Sequence, residues 1–541
     1  MTPAPLADVP ATLARFGGSD RAALSFYRGK TLEGRLAYGE LSARVERLAG
    51  ALHQDLGVRP GDRVALLAPN RLEIPVLVLA LLRLGAVVVP LNPASSPADW
   101  AYILGHSAAR GLCVTRELGA RVLEEPGRRF TLSVEDVFAL GGATAIAPAP
   151  PEALGDRMGV VLYTSGTTGN PKGVALRQSS LCANAWSMAH NFGLDGTTQL
   201  AVLPLYHAHA FGFGLMTALS TGGHLVFTER LEPFTWAQLV RAESVEVTSV
   251  VPSLLPMLLA AGVTRDKVPS LRHIMVSSAP LAPDVAKLFQ DKTQVPLVLG
   301  WGLSEYTNFA CCVPPSAPEA VRQRLLFGWE APSVGPALEG TEVRVVDATG
   351  VALGAGERGE LVVRGHSTML GYLGDPEATG RTIDPEGWLH TGDEGRFELE
   401  GGRQVFFVTG RLKEIIIRDA EKYSPLQLER ALVAALPELS GKLVIVGFAH
   451  HEHGEEIGAY LELEAFDDAL GGRLLEAIQT MPVPERPKVV LHGNVPVPRT
   501  HTGKIQRRKM QPWFSAWSSH RGALVIAALG GTDATEAGVS S

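Results

Sequence analysis

The chain is predicted to be an α/β protein. Its large N-terminal domain holds mostly parallel strands with helices and ends in a β-rich subdomain, and a small α+β domain follows. Three observations carry that reading. From about residue 36, helical patterns such as 38–56 and 97–106 alternate with short Val/Leu/Ile runs at 63–68, 87–91, 111–114 and 160–163. Alternation of this kind builds parallel sheets through helical crossovers. Between 334 and 409 the texture changes to short strand patterns, at 342–346, 359–364 and 405–408, separated by glycine turns. Beyond Gly410 a helix is announced by Ser424 as N-cap and Pro425 as first helical residue, with Leu426, Leu428, Leu432, Val433 and Leu436 on one face.

Each stretch has a place in that plan. Residues 1–20 are Ala/Pro-rich and loose, and 141–151 form an exposed Ala/Pro/Gly connector. The most apolar stretch, 74–91, contains Arg83, Gly85 and Pro90, so it reads as a buried helix followed by a strand and not as a membrane span. The boundaries drawn are 1–410 for the N-terminal domain, 411–511 for the small domain and 512–541 for a tail. The tail packs one short helix around Trp513, Phe514 and Trp517 and ends in a disordered Ala/Gly/Ser-rich finish.

Composition sets the outer limits. A chain of 541 residues, 46% hydrophobic, has room for more than one core, and a net charge of −7 gives no reason to invoke nucleic acid. The opening residues lack the basic, apolar, small-residue order of a secretory signal. The four cysteines, Cys113, Cys182, Cys311 and Cys312, have no metal spacing. A reducing cytoplasm is the expected setting, with Cys311 and Cys312 as small core residues.

The chemistry is written in 163–173, Tyr-Thr-Ser-Gly-Thr-Thr-Gly-Asn-Pro-Lys-Gly. Gly166 and Gly169 let the backbone curl so that its N–H groups converge on an anion. Thr164, Ser165, Thr167 and Thr168 add hydroxyl donors, and Lys172 adds a cation. The string is a phosphate-binding loop but not a Walker loop, because Pro171-Lys172-Gly173 replaces the Gly-Lys-Ser/Thr ending. Downstream, an apolar run enters Trp301-Gly302-Leu303-Ser304-Glu305 like a central strand, and ligands of open α/β sheets bind at such strand ends. Trp301 can stack on a purine, Ser304 can donate to phosphate, and Glu305 offers the hard oxygen that Mg²⁺ takes. In His390-Thr391-Gly392-Asp393, a buried carboxylate at Asp393 can clasp both hydroxyls of a ribose.

These motifs, in this order from about Tyr38 to about Lys509, resemble the adenylate-forming superfamily of acyl-CoA synthetases, nonribosomal adenylation domains and luciferases. The pattern is most similar to acyl- or aryl-CoA ligases. The resemblance implies stacked sheets in the large domain and a mobile small one. It also implies joining of a carboxylate to the α-phosphate of ATP with Mg²⁺, release of pyrophosphate, and transfer of the acyl group to an acceptor thiol. It assigns Ser278, Ala279 and Pro280, in the 275–281 segment, to the adenine, and Arg411 to the ribose beside Asp393. Lys504, in Pro498-Arg499-Thr500-His501-Thr502-Gly503-Lys504, becomes the lysine of the small domain that stabilises the crowded oxyanions. Lys413 falls at the family's hinge, and His207 becomes the gate of the acid pocket, a packed core histidine being its alternative. The run His450-His451-Glu452-His453 falls where the family has a solvated loop and is set aside as a metal site. Ser304 stands where the family usually has Thr, and Asp419-Ala420 where a glycine pair is common.

Amino-acid-activating relatives carry an aspartate at the place of His207, and the 210–216 segment is apolar and glycine-rich. A hydrophobic monocarboxylic acid is therefore the expected substrate. CoA is the expected acceptor. A phosphopantetheinyl carrier protein is the alternative, because the loop at Asp419 lines the thiol tunnel in thioester-forming relatives. A non-catalytic nucleotide scaffold is a third reading, opposed by the intact Lys172, Glu305, Asp393, Arg411 and Lys504.

Overall fold

The computed structural model describes residues 8–123, 127–140, 153–164, 170–419, 421–500, 504–520, 524–529 and the backbone of 534–536. Among these residues the strands form four sheets. The first has parallel strands at its centre: Thr198–Ala201, His224–Thr228, Val247–Val250, His273–Val276 and Leu297–Gly302. Phe309–Cys312 closes one edge antiparallel to Leu297–Gly302. In the second sheet, Arg63–Leu67, Val87–Leu91, Gly111–Val114 and Phe130–Ser133 run parallel, and Met158–Thr164 joins them beside Val87–Leu91. Its far edge turns antiparallel, through Lys172–Arg177 and then the short strand Gly371–Tyr372.

The helices Tyr38–Gln54, Glu73–Arg83 and Gln178–Phe192 share one buried core with strands of both sheets. Glu73–Arg83 is buried from Ile74 to Leu82, which explains its uninterrupted apolar run. It is the helix expected from 74–91, with the strand Val87–Leu91 after it. Among the described residues no helix is long and apolar enough to cross a membrane. All four cysteines are buried and unbridged.

The β-rich subdomain is an antiparallel run of Thr341–Val346, Gly359–Gly365, Leu389–Glu400 and Arg403–Arg411. Its last hairpin sets Asp393 opposite Arg411. The smaller C-terminal domain is built on Gly454–Glu462, which pairs with Leu443–His450 on one side and with Val489–Gly493 on the other. The helix Pro425–Ala435 packs on that sheet with Leu428 and Leu432 buried.

Two details differ from expectation. Ser424 does occupy the N-cap, but its hydroxyl makes no capping bond and donates to Thr409 O at 2.9 Å. It thereby pins the helix start to the last strand of the preceding subdomain. The segment past Gln511 is also more ordered than one short helix. Phe514 is buried, Val525–Ala528 adds a parallel strand beside Val489–Gly493, and Ala534–Glu536 pairs with it in turn. The reason is local: Leu524, Val525, Ile526 and Ala527 are apolar and all buried, so the sheet continues beyond the boundary drawn at 511. The connector at 141–151 lies outside the described residues.

Candidate active site

The strands Met158–Thr164 and Lys172–Arg177 pair so that Thr164 faces Lys172 across the ladder. The hairpin residues between them include Ser165, Gly166, Thr167, Thr168 and Gly169, which lie outside the described residues. Lys172 Nζ stands 4.7 Å from the centroid of the Tyr372 ring and 3.9 Å from Asp375 Oδ2. The Tyr372 hydroxyl donates to Glu305 Oε1 at 3.0 Å. One aromatic ring therefore touches both the phosphate-loop lysine and the carboxylate expected to face the metal.

Glu305 is delivered by a strained turn. The strand Leu297–Gly302 ends at Gly302, where a Cβ would lie 1.8 Å from Asn308 O, so no side chain fits. The one-turn helix Ser304–Tyr306 follows, placing Ser304 and Glu305 at the sheet's carboxyl end. Thr307 then takes φ 64 and ψ −52, with Asn308 N donating to Tyr306 O at 2.6 Å, the geometry of a γ-turn. Such turns are rare outside glycine and cost energy. Here Thr307 Oγ1, donating to Ser367 O at 2.7 Å, holds the turn in place.

Asp393 is 5% exposed and Trp301 7%. Trp301 Nε1 donates to Asp393 Oδ2 at 2.8 Å, so the polar edge of the expected purine platform is used to orient the carboxylate. Arg411 Nε lies 3.0 Å from Asp393 Oδ1, yet out of line, and Oδ1 accepts no hydrogen bond among the described residues. A buried carboxylate oxygen without a donor is costly, and a ribose hydroxyl is the kind of group that would satisfy it. The turn before it is fixed by Glu360, which accepts from Gly392 N at 2.8 Å and meets His390 Nδ1 at 2.8 Å.

The segment with Ser278, Ala279 and Pro280 leaves the strand His273–Val276. Ser278 has φ 73, the left-handed conformation for which glycine is the natural residue. His209 explains how it is held, since its Nδ1 lies 3.1 Å from Ser277 Oγ and 3.2 Å from Ser278 Oγ. Burial, with a smaller push from His207, lowers its pKa to about 3, so the ring is neutral. The reading of the sequence settled on His207 and passed over His209, whose serine partners lie 68 and 69 residues away in the chain. His207 itself packs against Tyr206, with ring centroids 4.5 Å apart. Behind both, Ala210–Met216 forms a fully buried π-helical turn, a feature frequent at functional sites.

Lys504 comes from the small domain. Its backbone N–H donates to Thr500 Oγ1 at 3.1 Å, and Thr500 N donates to Lys504 O at 2.8 Å. His501, Thr502 and Gly503 lie outside the described residues. Burial, and then the positive charge of Arg411, push its ammonium below the ordinary lysine range, while Asp393, Glu305 and Glu414 pull it back up. The two carboxylates of the large domain and the lysine of the small one thus share a field. Arg507 ties this segment to the turn at 412–414 and to the helix Pro425–Ala435, pairing with Glu414 at 2.6 Å and Glu429 at 2.8 Å. Lys413, in the turn Leu412–Glu414, is exposed.

Asp419 takes φ 51, and its Oδ1 meets His453 Nδ1 at 2.8 Å. The position does use the left-handed conformation that glycine favours, and aspartate, one of the few other residues that tolerates it, supplies it here. Ala420 lies outside the described residues. In the histidine-rich loop, His450 Nε2 meets His520 O at 3.1 Å. Among the described residues no group of three or more His, Cys, Asp or Glu could hold a metal ion. Glu305, a single hard carboxylate beside the phosphate loop, fits Mg²⁺, which completes its shell with water and phosphate oxygens.

The sequence profile of the AMP-binding enzymes matches residues 13–373. The chain is 31% identical to the 4-coumarate–CoA ligase-like 6 of Oryza sativa subsp. japonica, over 88% of its own length and 81% of that protein. It is 30% identical to the oxalate–CoA ligase of Arabidopsis thaliana, over 92% and 96%. The fold matches ATP-bound MatB from Rhodopseudomonas palustris at 25% identity, over 94% of this chain and 100% of that one, with a TM-score of 0.81. The apo form of MatB, covering 95% and 100%, gives 0.72. The chain belongs to the AMP-binding family of adenylate-forming enzymes, as an ATP-dependent ligase of the acid–CoA type.

Proposed function

We propose that the chain converts a hydrophobic monocarboxylic acid to its acyl-adenylate and then to its CoA thioester. The observation that supports this most is the field around Lys504: burial and then Arg411 depress a lysine of the small domain, while Asp393 and Glu305, which belong to the large one, raise it. In the first step a carboxylate oxygen attacks the α-phosphorus of ATP, the bond from the α-phosphorus to the bridging oxygen breaks, and pyrophosphate leaves. Thr164, Ser165, Gly166, Thr167, Thr168, Gly169 and Lys172 cradle the departing phosphates. Asp393 and Arg411 hold the ribose. Ser278, Ala279 and Pro280 back the adenine, with Trp301 and Gly302 alongside and Ser304 donating to phosphate. Lys504 meets the negative charge that gathers as carboxylate and α-phosphate approach. Mg²⁺, held by Glu305, neutralises phosphate charge when bound. In the second step the CoA sulfur attacks the acyl carbon, its proton is lost, and AMP leaves.

For the acid, His207 serves as the gate. Four buried, unbridged thiols suit a cytoplasmic setting. The test is acid-dependent exchange of pyrophosphate into ATP over a panel of acids, followed by mass spectrometry of products with and without CoA. ADP in place of AMP would overturn the mechanism. Exchange without acyl-CoA would move the acceptor to a carrier-protein thiol.

A further inference from the structure

We propose that Tyr372 is a positioning residue for the adenylation step, keeping Lys172 and Glu305 apart and both directed at the nucleotide phosphates. The proposal rests on the function proposed above and concerns a residue that no motif in the sequence singled out. Its geometry is two-sided: the ring face receives the Lys172 ammonium at 4.7 Å, while the hydroxyl donates to Glu305 Oε1 at 3.0 Å. A lysine and a glutamate within reach of one another would otherwise pair, and each would cancel the charge the other has to offer a phosphate or a cation. With a phenol between them, the cation is held by the ring's quadrupole. One carboxylate oxygen is fixed by a hydrogen bond, which leaves the other for a metal. A phenol is protonated at neutral pH and a carboxylate only accepts, so the hydroxyl is the donor.

The backbone places this ring without help from the side chain. Tyr372 N donates to Thr379 Oγ1 at 2.9 Å, Leu370 N to Ala175 O at 2.8 Å, and Leu373 N to Gly173 O at 2.7 Å. Gly371 has φ 144, and a Cβ there would lie 2.7 Å from Thr379 Cγ2. Next, Asp375 caps the helix Pro376–Thr382, accepting from Ala378 N at 2.8 Å, and turns its other oxygen toward Lys172 at 3.9 Å. Met369 N donates to Glu305 O at 2.9 Å. The 369–375 segment thus clamps the phosphate strand and the Glu305 turn together. The tyrosine hydroxyl reaches Glu305 on one side and lies beside Thr382 of the capped helix on the other.

The test compares wild type, Tyr372→Phe and Tyr372→Leu in binding as well as in turnover. AMP is titrated without metal, and ATP is titrated at a series of Mg²⁺ concentrations, both by calorimetry. Pyrophosphate exchange gives KM and kcat for Mg·ATP. Phe keeps the ring and removes the hydroxyl. It should bind AMP as wild type does but need about tenfold more Mg²⁺ for half-maximal ATP binding, the effect expected when a metal ligand loses its supporting hydrogen bond. Leu should add a loss of about threefold in metal-free ATP affinity, because Lys172 loses the ring face. An unchanged Mg²⁺ requirement in Tyr372→Phe overturns the proposal, as does an equal loss of AMP and ATP binding, which would mark a purely structural role. A wild-type protein that binds no Mg·ATP would overturn the functional reading itself, and this proposal with it.

Discussion

The two lysines expected at the phosphates are placed by opposite means. Lys172 grows from a paired strand of the large domain, is 39% exposed, and leans on the Tyr372 ring. Lys504 comes from the small domain, where burial and then Arg411 disfavour its charge while Asp393, Glu305 and Glu414 favour it. The first belongs to a rigid cradle in which every contact is made within one body. The second is costly to keep charged where it sits, and its carboxylate partners Asp393 and Glu305 stand on another body. A group of this kind suits a step in which charge is needed briefly, after which the small domain departs.

The sharpest way to break the comparison is Lys504→Ala. Loss of a charge aimed at developing oxyanions should slow pyrophosphate exchange by about 10²–10³-fold, while a supplied acyl-adenylate should still react with CoA. Equal loss in both half-reactions would mean that the two lysines do one job. The pH profile sharpens the point. The pKa of Lys504 is lowered, so its charged form is lost, as pH rises, earlier than in an ordinary lysine, and exchange should fall on that alkaline limb. Lys504→Arg keeps its charge throughout, so in that variant the limb should move to higher pH. Next in size is Glu305→Gln. Removing the metal-facing carboxylate should cost about a hundredfold in exchange at fixed Mg²⁺, with acid binding unchanged in calorimetry.

How much of this was legible in the sequence follows the same division. Strands such as Val87–Leu91 and Gly111–Val114 fall where the apolar runs predict them, because burial on both faces leaves a continuous signal. Asp393 and Trp301 were legible as candidates, but their direct bond was not, since it joins residues 92 apart in the chain. Tyr372 was not legible for the same reason, and of the two histidines in Leu205-Tyr206-His207-Ala208-His209 the sequence favours His207, because the serine partners of His209 lie 68 and 69 residues away. Ser278, Thr307 and Asp419 take positive φ in segments singled out by the sequence or beside them, and a serine or threonine in a sequence says nothing about φ. The strand Val525–Ala528 was not legible because its apolar residues are outweighed by their Gly/Ala surroundings.

A smaller effect is expected on the ribose side of the rigid cradle. Trp301→Phe removes the Nε1 donor to Asp393 Oδ2 and leaves a ring of similar shape. A hydrogen bond to a charged group contributes about 1.5–3 kcal/mol, so KM for ATP should rise about tenfold with little change in kcat. A fall in kcat alone would show that the indole acts on the transition state and not on the ribose.

The smallest effect belongs to the hinge side, at Asp419 with Ala420. Asp419 holds φ 51 at some cost, and its side chain is half exposed beside His453. Glycine removes the conformational cost, about 1 kcal/mol for a residue of this type, and gives up an exposed ion pair contributing about 0–1 kcal/mol. Stability should therefore change little in Asp419→Gly with Ala420→Gly. Pyrophosphate exchange should stay at the wild-type rate if this loop serves only the thiol step. If the aspartate narrows the path of an incoming thiol, the second half-reaction with CoA should speed up a few-fold. The His453→Ala variant separates the causes: it frees the Asp419 side chain without altering φ or bulk. Acceleration by the glycine pair alone points to bulk in the path, whereas acceleration by both points to the Asp419–His453 contact holding the loop in one pose. If neither variant exceeds wild type with CoA, the path already admits the thiol, and Asp419 is only the residue that supplies a left-handed turn where glycine is more usual.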